Sequence, residues 1–229
     1  MNDYEIHERT ISLIGEEAFE KLTNAKVVLI GLGGVGSYIL EALARAGIGH
    51  LVVADFEKIE LSNINRQLLA LHSTLGHKKT DCAYNRVKDI NPNIEVKCYD
   101  IFVNKDNISD IIKDDTDYII DAIDSVQSKI DIIKYAKQKG IEIISCMGTG
   151  NKTDNTGFII TSIKKTDTCP LAKKIRKILS SEGITDVDVL YSSCSNVKKI
   201  SGAIPSISYV PSTAGLLIAG YVIQKLIEE

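Results

Sequence analysis

Arg66, Lys79, Asp121 and Asp124 are the side chains whose types and spacing point to chemistry. Arg66 offers a permanent cation on a planar fork and Lys79 a compact point charge; both suit the oxygens of a polyphosphate. Asn63 stands just upstream in the polar, irregular run from Phe56 to Gln67. Asp121 and Asp124 end the run YIIDAID, which reads as the carboxyl end of a buried strand. One carboxylate there could hold Mg2+ against phosphates, since that ion keeps few protein oxygens. Asp124 and Ser125 equally suit the N-cap of a following helix. Taken singly, each charge also reads as a solvated surface group. Their position in the chain singles them out.

That position is set by KVVLIGLGGVG, residues 26–36. Val27 to Ile30 is an apolar run of the kind found in strands buried on both faces. Gly31, Gly33, Gly34 and Gly36 follow, and a helical pattern runs from Ser37 to Ala46. Glycines there permit a sharp turn and a close approach of amide groups to a phosphate, which the helix N-terminus also favours. Asp55 lies 19 residues after Gly36, at the end of the apolar run His50 to Ala54, where a carboxylate meets ribose hydroxyls. The pattern predicts a nucleotide site without saying which nucleotide.

The elements around it alternate. Strand patterns at 95–99, 118–124 and 142–147 interleave with helical patterns at 79–90 and 130–139. Such alternation predicts an α/β, Rossmann-like, doubly wound and mostly parallel sheet. We read the 229 residues as one domain: an N-terminal helical arm (1–25), a nucleotide-binding core (26–150), and a substrate-side extension with a C-terminal helix (151–229). The extension reads as antiparallel, with strands at 158–163, 187–192 and 207–210 and a basic helix at 171–179. The apolar stretch from Ala214 to Ile227 is shorter than the ~18 residues of a membrane span and reads as a buried helix.

The net charge of −3 predicts no global attraction to nucleic acid. Lys164 to Lys199, however, holds eight basic and four acidic residues, a local +4 against −7 elsewhere. Lys173, Lys174, Arg176 and Lys177 fall on the basic helix, suited to a phosphate backbone. Five cysteines without a CxxC pair argue against a zinc ribbon or a secreted disulfide framework. Cys82, Cys98 and Cys146 read as core, Cys169 and Cys194 as exposed thiols. The polar start, Met1 to Arg9, predicts no secretory leader. A cytoplasmic setting follows.

The order GLGGVG, Asp55, SNINRQ, GHKK at 76–79 and DAIDS at 121–125 resembles the adenylation fold of ubiquitin-activating-type enzymes. Within that superfamily it is most similar to the family that dehydrates threonylcarbamoyladenosine in tRNA. LARAGIG at 43–49, NINRQLLAL at 63–71 and SISYVPSTAGL at 206–216 carry that likeness. The resemblance implies that Gly31, Gly33, Gly34 and Gly36 form an ATP loop, that Asp55 holds the ribose, and that Asn63, Arg66 and Lys79 hold phosphates. It implies Mg2+ on Asp124, with Asp121 the lesser candidate, and Arg9 reaching the nucleotide of the neighbouring subunit in a homodimer. It also allows a cysteine-desulfurase or sulfur-acceptor partner. The implied reaction is carboxylate adenylation followed by ring closure on the modified tRNA. Activation of a ubiquitin-like sulfur carrier is the alternative within the superfamily. A nicotinamide-dependent dehydrogenase would leave Arg66, Lys79 and Asp124 without a task, and a catalytically silent scaffold would leave them unexplained.

Overall fold

A computed structural model describes residues 3–194 and 204–228. Its elements run α1 (Asp3–Ile14), α2 (Glu16–Asn24), β1 (Lys26–Ile30), α3 (Gly36–Ala46), β2 (His50–Ala54), α4 (Lys79–Ile90), β3 (Glu95–Tyr99) and α5 (Ile108–Ile111). They continue with β4 (Tyr118–Asp121), α6 (Val126–Lys139), β5 (Glu142–Cys146), β6 (Phe158–Ser162), α7 (Pro170–Ser181), β7 (Asp188–Ser192) and α8 (Tyr209–Glu228).

β1 is apolar at every position but its first, and the sheet grows outward on both its edges. The strand order is β3-β2-β1-β4-β5-β7-β6. Successive side chains of a strand point to opposite faces, so β1 feeds two cores. Val27 and Leu29 join Ile39 and Leu43 of α3 and Ala214, Ile218 and Val222 of α8. Val28 and Ile30 join Ile130 and Ile133 of α6 and Ile175 and Leu179 of α7 on the other face. Helices on both faces leave the carboxyl edge of the sheet as the open side, where doubly wound sheets bind ligands.

The extension differs from its reading. β7 runs parallel to β5, pairing Ile144 with Asp188, and only β6 is antiparallel, pairing with β7. The result is one antiparallel edge strand on a parallel sheet, a common arrangement. Residues 207–210 form no strand, because α8 begins at Tyr209. Pro211 lies in its first turn, where proline costs no internal hydrogen bond. Lys198 and Lys199 lie outside the described residues.

α8 is long and apolar enough to cross a membrane by length and composition alone. Its packing gives it another role. Gly215 lies against α3 so closely that a Cβ would stand 2.5 Å from the Val35 carbonyl oxygen. Val210, Ala214, Ile218, Val222 and Leu226 are all buried. It is a core helix.

Candidate active site

A cleft of about 800 Å³ lies over the carboxyl ends of β2, β1, β4 and β5. The glycine turn forms its floor. Gly31 has φ of 97° and a Cβ there would meet the Ala122 carbonyl oxygen at 2.8 Å. At Gly36 a Cβ would stand 1.8 Å from the Gly31 oxygen, so the turn closes on itself. Gly31, Gly33 and Gly34 line the cleft, whereas Gly36 is packed beneath them and lets α3 start there. Ser37 Oγ donates to the Gly33 oxygen (2.7 Å) and accepts from the Leu68 N–H (3.1 Å), which ties the turn to the loop bearing Arg66.

Asp55 sits at the end of β2, buried to 9% exposure, and lines the cleft. Its carboxylate accepts the Leu32 N–H at 2.7 Å and the Glu57 N–H at 2.8 Å. Burial pushes its pKa up, outweighing the Lys79 charge and the two amides that pull it down. Each carboxylate oxygen keeps a lone pair for a hydroxyl donor.

The cations converge as expected. Lys79 opens α4 at 1% exposure and pairs with the half-exposed carboxylate of Glu57. Arg66 Nη1 donates to the Ser62 oxygen (2.8 Å) and Asn65 Oδ1 (2.9 Å), which orients the guanidinium and leaves its other N–H groups for a ligand. Asn63, in the turn Leu61–Asn63, accepts the Glu60 N–H at 3.1 Å. Asn63, Arg66, Lys79 and Asp124 all line the cleft.

The two aspartates separate cleanly. Asp121 is fully buried, and Lys129 Nζ donates to its oxygens at 3.0 and 2.9 Å while Ser145 Oγ donates at 2.5 Å. It is a structural ion pair. Ser125, not Asp124, caps α6 by accepting the Ser128 N–H at 3.4 Å. Asp124 is therefore exposed and uncommitted at the cleft. A single carboxylate lining the same cleft as Arg66 and Lys79 fits Mg2+, an ion that takes few protein oxygens and completes its shell with phosphate oxygens and water.

Arg9 stands exposed on α1 and does not line this cleft. Cys169 is buried to 4% exposure, contrary to its reading as an exposed thiol. It precedes α7 and packs with Ala172 and Ile175 in the second core. Cys146 is also buried, and desolvation pushes its thiol up to about 12. Thiolates are the reactive form, so this sulfur is inert near neutrality. On α7, Lys173, Lys174 and Lys177 are exposed, but Arg176 turns inward to donate to Thr166 Oγ1 at 2.6 Å. Three cations, not four, face solvent.

Three residues at the cleft were not singled out by the sequence. Gln67 is buried with its Oε1 unpartnered among the described residues. Asn151 and Lys152 follow β5. Nothing in the local pattern marks them, because a loop lysine reads as solvated.

A glycine turn on a doubly wound sheet, with Arg, Lys and Asp grouped above it, defines an adenylating domain, and the chain belongs to the ThiF family, whose model matches residues 7–229. Its relatives in that family include tRNA threonylcarbamoyladenosine dehydratase of Bacillus subtilis, 38% identical over 94% of this chain and 92% of the relative. The structure is similar to that of Escherichia coli tRNA N6-threonylcarbamoyladenosine dehydratase, TcdA, solved in complex with ATP: TM-score 0.92, 32% identity, covering 98% of this chain and 95% of the other. The adenylyltransferase and sulfurtransferase UBA4 of Saccharomyces cerevisiae matches 58% of this chain at 36% identity, but only 30% of its own length.

Proposed function

We propose that this chain is an ATP-dependent tRNA threonylcarbamoyladenosine dehydratase. The observation that carries the reading is the convergence of Asp55, Asn63, Arg66, Lys79 and Asp124 on one cleft above the glycine turn, in a chain that spans nearly the whole of a dehydratase relative.

ATP is the first substrate. Asp55 takes the ribose hydroxyls, the turn of Gly31, Gly33 and Gly34 takes phosphate, and Arg66 and Lys79 take the negative charge. Lys79 exchanges Glu57 for a phosphate oxygen when ATP enters. The threonyl carboxylate of the modified adenosine attacks the α-phosphorus, and pyrophosphate leaves. Arg66 and Lys79 stabilise the charge that develops on the phosphoryl oxygens, in a cleft where such interactions are strong. The carbamoyl nitrogen of the same side chain then attacks the acyl carbon and loses its proton, and AMP leaves with the carboxylate oxygen. A five-membered ring forms and water is lost overall. Holding both groups on one side chain gives the closure a high effective molarity. Asp124 would hold Mg2+, which screens the phosphates when bound.

The exposed lysines of α7 support a tRNA backbone contact. Arg9, away from its own chain's cleft, is read as serving the cleft of a second copy in a homodimer. A reducing cytoplasmic setting accords with unpaired cysteines. Incubation with ATP, Mg2+ and threonylcarbamoylated tRNA should remove the mass of one water from the nucleoside. Unchanged nucleoside mass, with pyrophosphate released and AMP joined to the C-terminal carboxylate of a sulfur-carrier protein when one is offered, would replace this reading with the sulfur-carrier one.

A further inference from the structure

The cleft extends past the nucleotide positions, and its far end holds a buried cation with no salt-bridge partner among the described residues. The strand order sets the geography. Asp55 follows β2, the glycine turn follows β1, Asp124 follows β4, and the loop of residues 147–152 follows β5. The loop after β5 therefore stands beyond Asp124, on the side away from the ribose position.

Lys152 is 6% exposed and lines this end of the cleft. Its ammonium donates to the Cys194 carbonyl oxygen. An ammonium carries three donors and a full charge, and a neutral carbonyl compensates little of the cost of taking that charge out of water. Among the described residues no carboxylate forms a salt bridge with it. Residues 195–203, SNVKKISGA, include no acid.

The backbone fixes the lysine at this end. Asn151 adopts a left-handed conformation, φ 62°, and its N–H donates to the Pro205 carbonyl oxygen at 2.7 Å. A Cβ at Gly150 would stand 2.5 Å from the Ile204 side chain, so the loop is pressed against that segment. The Asn151 side-chain oxygen is itself buried without a partner among the described residues. A cation with no salt bridge and an acceptor with no hydrogen bond among the described residues, adjacent in sequence, line one end of one cleft.

We propose that Lys152 and Asn151 form the acceptor subsite. Lys152 binds the carboxylate to be activated, and the Asn151 oxygen accepts from an N–H or hydroxyl of the same side chain. The ligand class is a small polar side chain ending in a carboxylate. The identification with threonylcarbamoyladenosine rests on the function proposed above.

The test uses the full chain as wild type, Lys152→Met, Lys152→Arg and Asn151→Ala. Affinities are measured for ATP, for unmodified tRNA and for threonylcarbamoylated tRNA, together with pyrophosphate exchange driven by the modified tRNA. Lys152→Met should weaken modified-tRNA binding and raise its KM in exchange by ~10–100-fold, the scale of a charge-assisted hydrogen bond. Affinities for ATP and unmodified tRNA should stay within ~2-fold, since neither brings that carboxylate. Its melting temperature should not fall, because an apolar side chain replaces a buried charge that has no salt bridge among the described residues. Lys152→Arg should recover part of the loss, and Asn151→Ala should show a smaller loss of the same kind.

Wild-type KM in Lys152→Met would overturn the proposal. So would an equal loss for ATP, which would put Lys152 on the triphosphate, or an equal loss for unmodified tRNA, which would put it on the RNA backbone. If wild type binds modified tRNA selectively, Lys152→Met removes the selectivity, and no pyrophosphate exchanges, the subsite stands and the adenylation reading alone falls.

Discussion

Lys129 and Lys152 are both withdrawn from water, at 0% and 6% exposure, in two regions of opposite electrostatic design. Beneath the carboxyl ends of β4 and β5, Lys129 meets both oxygens of Asp121 and the hydroxyl of Ser145, which itself donates to Asp121. Every charge in that cluster is answered from within the chain. In the cleft above, Lys152 meets one carbonyl, and Lys79 leans on a carboxylate that is half exposed. A buried charge with a full complement of partners belongs to the scaffold. One left short of partners points to a ligand that supplies them. The same distinction separates Asp121, saturated and structural, from Asp124, exposed at the cleft.

The largest expected effect breaks the saturated cluster. Lys129→Met strands Asp121 without its cation and should cost ~3–5 kcal/mol in urea denaturation, with most of it regained when Asp121→Val is added. Wild-type stability of the single variant would erase the contrast. Lys79→Met, which keeps the buried apolar stem, should do the reverse: adenylation falls by ~100–1,000-fold while the denaturation midpoint moves little, since half-exposed Glu57 turns to water. The glycine turn gives an internal comparison of the same kind. Gly36→Ala should cost ~1–3 kcal/mol and weaken ATP binding, as a Cβ there collides with backbone. Gly33→Ala meets nothing within 4 Å and should fold normally.

Smaller effects sharpen the picture at the rim. Lys173→Glu combined with Lys177→Glu should lower the salt slope of tRNA binding by about 1 for each phosphate that is no longer neutralised, leaving ATP affinity unchanged. A slope equal to wild type would remove α7 from the RNA interface. Asp55 makes a pH prediction with two signs. Its pKa is raised by burial, so the folded state holds the proton more tightly than the unfolded chain. Its contribution to stability is therefore present below the ordinary value of 3.8 and lost as pH rises through the raised one. With Asp55 as the proposed ribose ligand, ATP binding needs the carboxylate and moves oppositely. Calorimetric affinity should begin to fall, on acidification, at a pH above that of an ordinary aspartate.

That the glycine turn, Asp55, Asn63, Arg66 and Lys79 would gather at one cleft was legible, because each is read from its neighbours in sequence. A strand, a turn without Cβ atoms and a helix start are adjacent along the chain, and the carboxyl edge of such a sheet gathers whatever follows its strands. Helix α4, Lys79 to Ile90, coincides with its amphipathic pattern for the same reason. Residues 207–210 failed because β-branched residues beside a proline look like a strand. What decided otherwise was the packing of the following turns of α8 against α3. Cys169 failed because its local setting is polar, while its burial comes from α7 folding onto the sheet.

Local pattern thus specified the backbone path and the residue types offered at the cleft: periodicity, glycine and capping chemistry act over a few residues. Which charges are spent was settled in three dimensions. Asp121 is answered by Ser145, 24 residues away, and Lys152 by a carbonyl 42 residues away. Desolvation and pairing depend on what the whole fold brings within hydrogen-bond reach, and no window of sequence contains that sum.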